Sequence, residues 1–280
     1  MRPARSSAAR TRPAILVIAY LLMLILLFPY LVMILTSLKS EQTVYSIPPT
    51  LLPHPWYFQN YVDVWTKAPV LQYLLNTIWL ATGATIIALI CGIPAAYVLS
   101  RLKFRGKKFY MYLLLITQMF SPVVLVVGLY REVLWMGLMN NVWSLVLINA
   151  AFNQAFTVWL LSGYFSSLPY DLEQAAWIDG CSRWKALLRI VLPLSLPGIV
   201  TTVVFVFIAA WNEFAIALTV ISSESAKPLT VGIYAFMGQY YTQWQYLFAV
   251  SIIATVPVVI LFLAIEKYLI SGLTAGGVKS

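Results

Sequence analysis

The sequence predicts an all-α membrane protein with six transmembrane helices, and three observations predict it. Of 280 residues, 61% are hydrophobic and only 10% charged, with a mean hydropathy of +0.85; a soluble domain carries about 25% charged residues. The apolar residues gather in six runs long enough to cross a bilayer. The basic residues concentrate in alternate connecting segments. Nine carboxylates and eighteen basic groups cannot solvate the surface of a soluble chain of this size.

A helix rises about 1.5 Å per residue, so about 20 apolar residues cross a hydrocarbon core of about 30 Å. The six runs are 14–36, 74–99, 109–130, 142–163, 199–222 and 244–268. The first follows Arg2, Arg5, Arg10 and Arg12, as in a signal peptide. It is too long for a signal h-region and no small-x-small site follows, which reads as an uncleaved anchor. Six spans put both termini on one side. The two termini and the 100–108 and 164–198 segments hold fourteen Lys and Arg, against Lys39, Lys67, Arg131 and Lys227 on the other side. The positive-inside rule therefore places both termini in the cytoplasm. Arg101, Lys103, Arg105, Lys107 and Lys108 form the densest patch, expected to lock topology and contact anionic lipid.

The composition excludes several function classes. His54 is the one histidine, and Cys91 and Cys181 are the two cysteines. The cysteines fall in an apolar run and a basic loop, so no disulfide is expected, and neither zinc nor haem has a ligand set. No G-x-x-x-x-G-K-[ST] stretch exists to cradle ATP phosphates. No nucleophile pattern surrounds His54, so no catalytic residue is assigned. The net charge of +9 reads as topology rather than nucleic-acid binding.

Two further places carry polar or aromatic signals. The external 37–73 loop contains Pro48, Pro49, Pro53 and Pro55, so its middle is expected to be extended, with a short interfacial helix over 56–65. The last external segment, 223–243, leads into Tyr240, Tyr241 and Trp244, which are interfacial anchors or a lip that touches a soluble partner or a sugar. Glu213 lies in the interior of the fifth span, beside Asn212. A charge there costs about 2.5–3.5 kcal/mol on insertion scales. It lines or gates a pathway, or it clamps helices through hydrogen bonds. No relay of intramembrane ionisable groups accompanies it, which argues against an ion-driven pump.

The 164–198 segment is the most specific feature. Asp171 is placed to cap a helix whose third residue is Gln174, a variant capping box. Gly180 sits where a helix C-terminus takes a left-handed residue. Ser182 is a second N-cap, followed by Trp184, Leu187, Leu188 and Val191 at i, i+3, i+4, i+7. Pro193 ends the second helix, and Pro197-Gly198 is expected to turn the chain back. By itself this is an amphipathic element that rests on headgroups or docks a partner.

The spacing within that segment resembles the signature of ABC importer permeases: E-A-A, three residues, Gly, nine residues, Ile-x-Leu-Pro. Here it reads Gln174-Ala175-Ala176, then Gly180, then Ile190-Val191-Leu192-Pro193. Gln174 replaces the family's Glu, with Glu173 just before it. Arg101-Leu102-Lys103-Phe104-Arg105-Gly106-Lys107, Trp211-Asn212-Glu213-Phe214, Pro228-Leu229-Thr230-Val231-Gly232 and Gly272-Leu273-Thr274-Ala275-Gly276-Gly277-Val278-Lys279 resemble the six-span carbohydrate permeases of maltose-type importers.

The resemblance implies a type I ABC importer permease fold in a prokaryotic inner membrane. It divides the chain into a 1–13 cytoplasmic tail, a first helix 14–36, an external loop 37–73, a five-helix transport core 74–268 and a 269–280 cytoplasmic tail. It implies half of a pathway for a sugar or related polyol, shared with a second homologous permease. It also implies an ATPase dimer that binds ATP and Mg, and an extracytoplasmic substrate-binding protein; this chain would bind no cofactor and would not be an enzyme. Asp171, Glu173, Gln174, Ala175, Ala176, Asp179, Gly180, Trp184, Leu187, Leu188, Ile190, Leu192 and Pro193 would couple to the ATPase. A secondary sugar transporter, or a permease for an amino acid or glycerol phosphate, stands as the alternative.

Overall fold

The computed structural model describes the backbone of residues 8–275 and the side chains of residues 15–266. Arg2, Arg5, the side chains of Arg10, Arg12 and Lys267, and residues 276–279 of the C-terminal motif lie outside the described residues. Contacts divide the chain into two units, 1–68 with 233–253, and 69–232 with 254–280.

In the first unit, the Ala8–Ser37 helix is apolar on all sides from Ile15 onward, and large side chains from Ile15 to Leu31 are exposed along it. A helix without a polar face belongs in lipid or against other membrane helices. Its end is tied to the following loop: the Asn60 amide donates to Ser37 O and Lys39 O, both at 2.8 Å, and Ser37 Oγ lies 2.8 Å from Tyr61 Oη. The interfacial helix expected over 56–65 runs instead over Asn60–Lys67. The Tyr57 amide hydrogen is taken by Leu38 O, which holds the chain after Pro55 out of helical geometry. The 233–253 part contains the start of the Trp244–Ala275 helix.

In the second unit, the Val70–Arg101 and Val142–Ser167 helices pack along their length, and Leu196–Trp211 packs on both. Lipid offers no hydrophobic drive between helices, so close approach through small residues supplies the contact. Ala81, Ala84, Ala150 and Ala210 make one such cluster, packed with Trp211. A Cβ built on Gly92 would come within 2.4 Å of Thr157 Cγ2, so only glycine allows these two helices to approach this closely.

Among the described residues, four helices are long and apolar enough to cross a membrane, and two bent pairs raise the number to six if each is one span. The third expected span is not continuous: Lys107–Thr117 and Pro122–Trp135 meet at 94°. Pro122 lacks an amide hydrogen and holds Ser121 extended (φ −69°, ψ 133°), which stops a helix from running through. The fifth is also interrupted. Leu196–Trp211 covers roughly 24 Å at 1.5 Å per residue, and after Asn212–Phe214 a separate helix, Ala215–Val220, begins. Pro197-Gly198 makes no turn; it lies in the first turn of Leu196–Trp211, where proline is well tolerated. The bend falls one step earlier, at Ser195, where Arg183–Leu194 and Leu196–Trp211 meet at 79°.

Candidate functional site

Two sites in the second unit collect the residues singled out by sequence. The first is the two-helix element after the Val142–Ser167 helix. Its first helix is Asp171–Ile178. Asp171 is not the cap: Tyr170 occupies that position without a side-chain bond, and Asp171 and Glu173 lie in the first turn, where carboxylates complement the helix dipole. Gly180 is left-handed (φ 83°). Cys181 N donates to Ala176 O at 2.9 Å and Gly180 N to Trp177 O at 3.1 Å, the paired bonds of a Schellman motif. Ser182 caps the next helix by accepting from Lys185 N at 3.3 Å.

The apolar stripe of that second helix divides. Leu187 and Val191 are buried against Ala96, Tyr97, Leu161 and Phe165, whereas Trp184 and Leu188 are about 60% exposed, at 60% and 59%. A π-helical turn lies over Leu187–Val191, in which Leu192 N donates to Leu187 O, five residues back. Pro193 lacks an amide hydrogen and crowds the carbonyl four residues before it, and a wider turn relieves this. Helical spacing assigned one face where the core covers only its Leu187–Val191 edge. Glu173 and Ala176 also point inward, at 1% and 8% exposure. Asp171, Gln174, Ala175, Asp179, Gly180 and Pro193 are exposed, and Ile190 and Leu192 are half-buried. With Leu172 and Ile178, the exposed Trp184 and Leu188 give the element an apolar outer surface.

The second site is a cleft of about 450 Å³ where the two helix breaks face each other. Gln118 and Pro122 line it from the break in the third span, Asn212, Glu213 and Phe214 from the fifth, and Asn149 and Asn153 from Val142–Ser167. The Gln118 amide donates to Phe152 O at 2.9 Å, which fixes one break against the neighbouring helix. Glu213 is not paired with Asn212. Its carboxylate accepts from Ile216 N and Ala217 N at the start of Ala215–Val220, while the Asn212 amide donates to Ile208 O at 2.9 Å. Thr230 Oγ1 donates to Glu213 O at 2.6 Å, which ties the break to the later segment. Amides and a carboxylate in an otherwise apolar cleft suit a hydroxyl-bearing solute, which needs donors and acceptors in fixed places. Sequence analysis missed Gln118, Asn149 and Asn153. The i, i+4 pair of asparagines inside one apolar run was the available signal.

The lip residues belong to the first unit. Tyr240 is almost fully exposed at 92%, and Tyr241 and Trp244 are partly exposed. Tyr241 packs on Tyr45 with ring centroids 5.2 Å apart, and Trp244 on Phe248 at 5.6 Å.

Residues 84–274 match the family described as binding-protein-dependent transport system inner membrane component. The chain is 34% identical over 261 residues to the Inner membrane ABC transporter permease protein YcjP of Escherichia coli (strain K12), covering 92% of this chain and 93% of that protein. It is 38% identical over 265 residues to the Trehalose/maltose transport system permease protein MalG of Thermococcus litoralis, covering 93% and 94%. A chain in the crystal structure of a bacterial ABC transporter involved in the import of the acidic polysaccharide alginate has the same fold. Its TM-score is 0.82 at 22% identity, covering 96% of this chain and 100% of that one.

Proposed function

Because the chain belongs to the family of binding-protein-dependent transport system inner membrane components, we propose that it is the permease subunit of an ATP-driven importer for a sugar or related polyol. It forms half of the translocation pathway, beside a second homologous permease. ATP and Mg are bound by a separate ATPase dimer, and an extracytoplasmic binding protein delivers the solute. Both termini are cytoplasmic, as the basic residues require.

The observation that carries this reading is the jointed element at 168–194: a rigid turn at Gly180 presents Ile178, Trp184 and Leu188 outward on a segment whose other face is buried in the helix core. Such a surface docks into a partner's groove by its apolar anchors. ATP binding draws the ATPases together, and the element carries that displacement to the spans. The amide-lined cleft at the two helix breaks is the stretch of pathway that this displacement opens and closes, in line with the use of broken helices at transport sites. The relative named for trehalose and maltose supports a saccharide as the solute, and the polar groups of the cleft match one chemically.

The test is purification of this chain from its own membranes, followed by reconstitution into vesicles. An ATPase and a second permease are expected to co-elute, and ATP hydrolysis should rise when binding protein loaded with trehalose or maltose is added. Uptake of the sugar that survives ATP removal and follows an ion gradient would contradict the reading.

A further inference from the structure

A buried ion pair connects the jointed element to the core. Arg101, the last residue of the Val70–Arg101 helix, places Nε 2.5 Å from Glu173 Oε1 on the Asp171–Ile178 helix, with side-chain exposures of 6% and 1%. Tyr97 Oη donates to Glu173 Oε2 at 2.7 Å. Arg101 Nη2 donates to Leu168 O at 3.3 Å, and its guanidinium lies over the Tyr170 ring, 5.6 Å from the centroid. One arginine thus holds the element at residues 168, 170 and 173.

Two charges removed from water pay a desolvation penalty that their attraction repays only with good geometry and further hydrogen bonds. An apolar pair of similar volume would stabilise the contact as well or better, so stability alone does not account for these residues. Arg101 Nε and Glu173 Oε1 attract as charges without a hydrogen bond between them; direction comes from the bonds of Tyr97 to Glu173 and of Arg101 to Leu168, whereas apolar packing tolerates sliding. The second helix of the element is anchored to the same turn of the core, because Leu187 and Val191 pack with Ala96 and Tyr97. Towards its middle the Val70–Arg101 helix contributes Leu80 to the cluster holding Ile216 and Ala217, and Ala81 and Ala84 to the cluster holding Trp211. These residues flank the break at Glu213. One helix, with Pro94 inside it, therefore runs from the element to the cleft.

Resting on the importer reading above, we propose that Arg101, Glu173 and Tyr97 are positioning residues that make the element and the Val70–Arg101 helix a single rigid strut. Displacement of the docking surface is delivered to the cleft through this strut, without hinging at the 168–173 connection. Gly180 then fixes the shape of the docking surface, and Arg101–Glu173 fixes its attachment.

The chain's own cysteines supply the probe. Cys91 is exposed on the Val70–Arg101 helix, and Cys181 is half-buried at the glycine joint. Spin labels on both, in the assembled complex with cysteine-free partner subunits, report the distance across the strut. The expected result is one narrow distance, the same in the nucleotide-free complex and in the complex trapped with ATP, magnesium and vanadate. A distance that moves between these states in a complex that hydrolyses ATP overturns the strut. Glu173→Gln leaves Arg101 buried without its countercharge. It should broaden the distance and lower trehalose transported per ATP hydrolysed by about tenfold or more, because an uncompensated buried charge is strongly unfavourable. Tyr97→Phe, which strands no charge, should keep assembly with a smaller loss of the same ratio. Full coupling in Glu173→Gln overturns the proposal; if that variant does not assemble, full coupling with a narrow distance in Tyr97→Phe does so. A wild-type chain that recruits no ATPase overturns the importer reading instead, so the two fail separately.

Discussion

Glu213 Oε1 accepts the backbone amide hydrogen of Ile216 at 2.8 Å, and Oε2 accepts that of Ala217 at 2.9 Å. The carboxylate inside the fifth span thus takes up two amide hydrogens of the helix that restarts after the break, from the residue before its N-cap Phe214, and it borders the amide-lined cleft. Among the described residues, its insertion cost is offset by these backbone amide hydrogens rather than by a cation. Glu213→Gln keeps one acceptor and should assemble with a small loss of thermal stability. Glu213→Leu strands two amide hydrogens, at about 1–3 kcal/mol each. It should lower the melting temperature of the purified chain and reduce uptake. An unchanged melting temperature in the Leu variant would show that these bonds carry no weight.

Gly180→Val forces a β-branched residue into a left-handed backbone. Nothing lies within 4 Å of the added Cβ, so the cost is conformational, about 1–2 kcal/mol, and falls on the joint alone. Insertion and pairing with the other permease should be normal, while stimulation of ATP hydrolysis by the binding protein should fall. Gly180→Asn, which tolerates the left-handed region, should recover most of it. Equal loss in Val and Asn would point away from the backbone explanation.

Gly92 tests the helix contact. Gly92→Ala brings a methyl group into Thr157 Cγ2 and should destabilise by about 1–3 kcal/mol through overpacking. Thr157→Ala removes that methyl, so the double variant should be more stable than the sum of the single effects predicts. Strict additivity in thermal unfolding would mean that the helices do not meet there.

Orientation is tested at Cys181. With its segment inside, as the positive-inside rule expects from fourteen of eighteen basic residues, a membrane-impermeant thiol reagent should leave Cys181 unlabelled in intact cells and label it after permeabilisation. Labelling from outside would invert the topology.

How much of this was legible in the sequence differs by element. Gly180 and Ser182 were readable because a left-handed cap and a hydroxyl cap are decided within a few residues. The breaks at Pro122 and at Asn212–Phe214 were not, because hydropathy averaged over a span hides a single proline or carboxylate among apolar neighbours. The stripe from Trp184 to Val191 was misread as one buried or one exposed face, because an i, i+3, i+4, i+7 set is about 100° wide and the core covers only its Leu187–Val191 edge. Arg101 looked like one of five charges of a patch that locks topology and contacts anionic lipid; its partner Glu173 lies far along the chain, and only packing brings them together. The polar lining of the cleft was missed for the same reason, as it is assembled from three separate segments.

The most direct test of the central claim, that the exposed face of the jointed element docks the ATPase, is site-specific crosslinking. A photo-crosslinking amino acid in place of Trp184, in cells that take up the sugar, should capture the ATPase subunit; the same group in place of the buried Phe165 should not. Adducts with lipid alone at Trp184, in cells whose uptake is intact, would contradict the account.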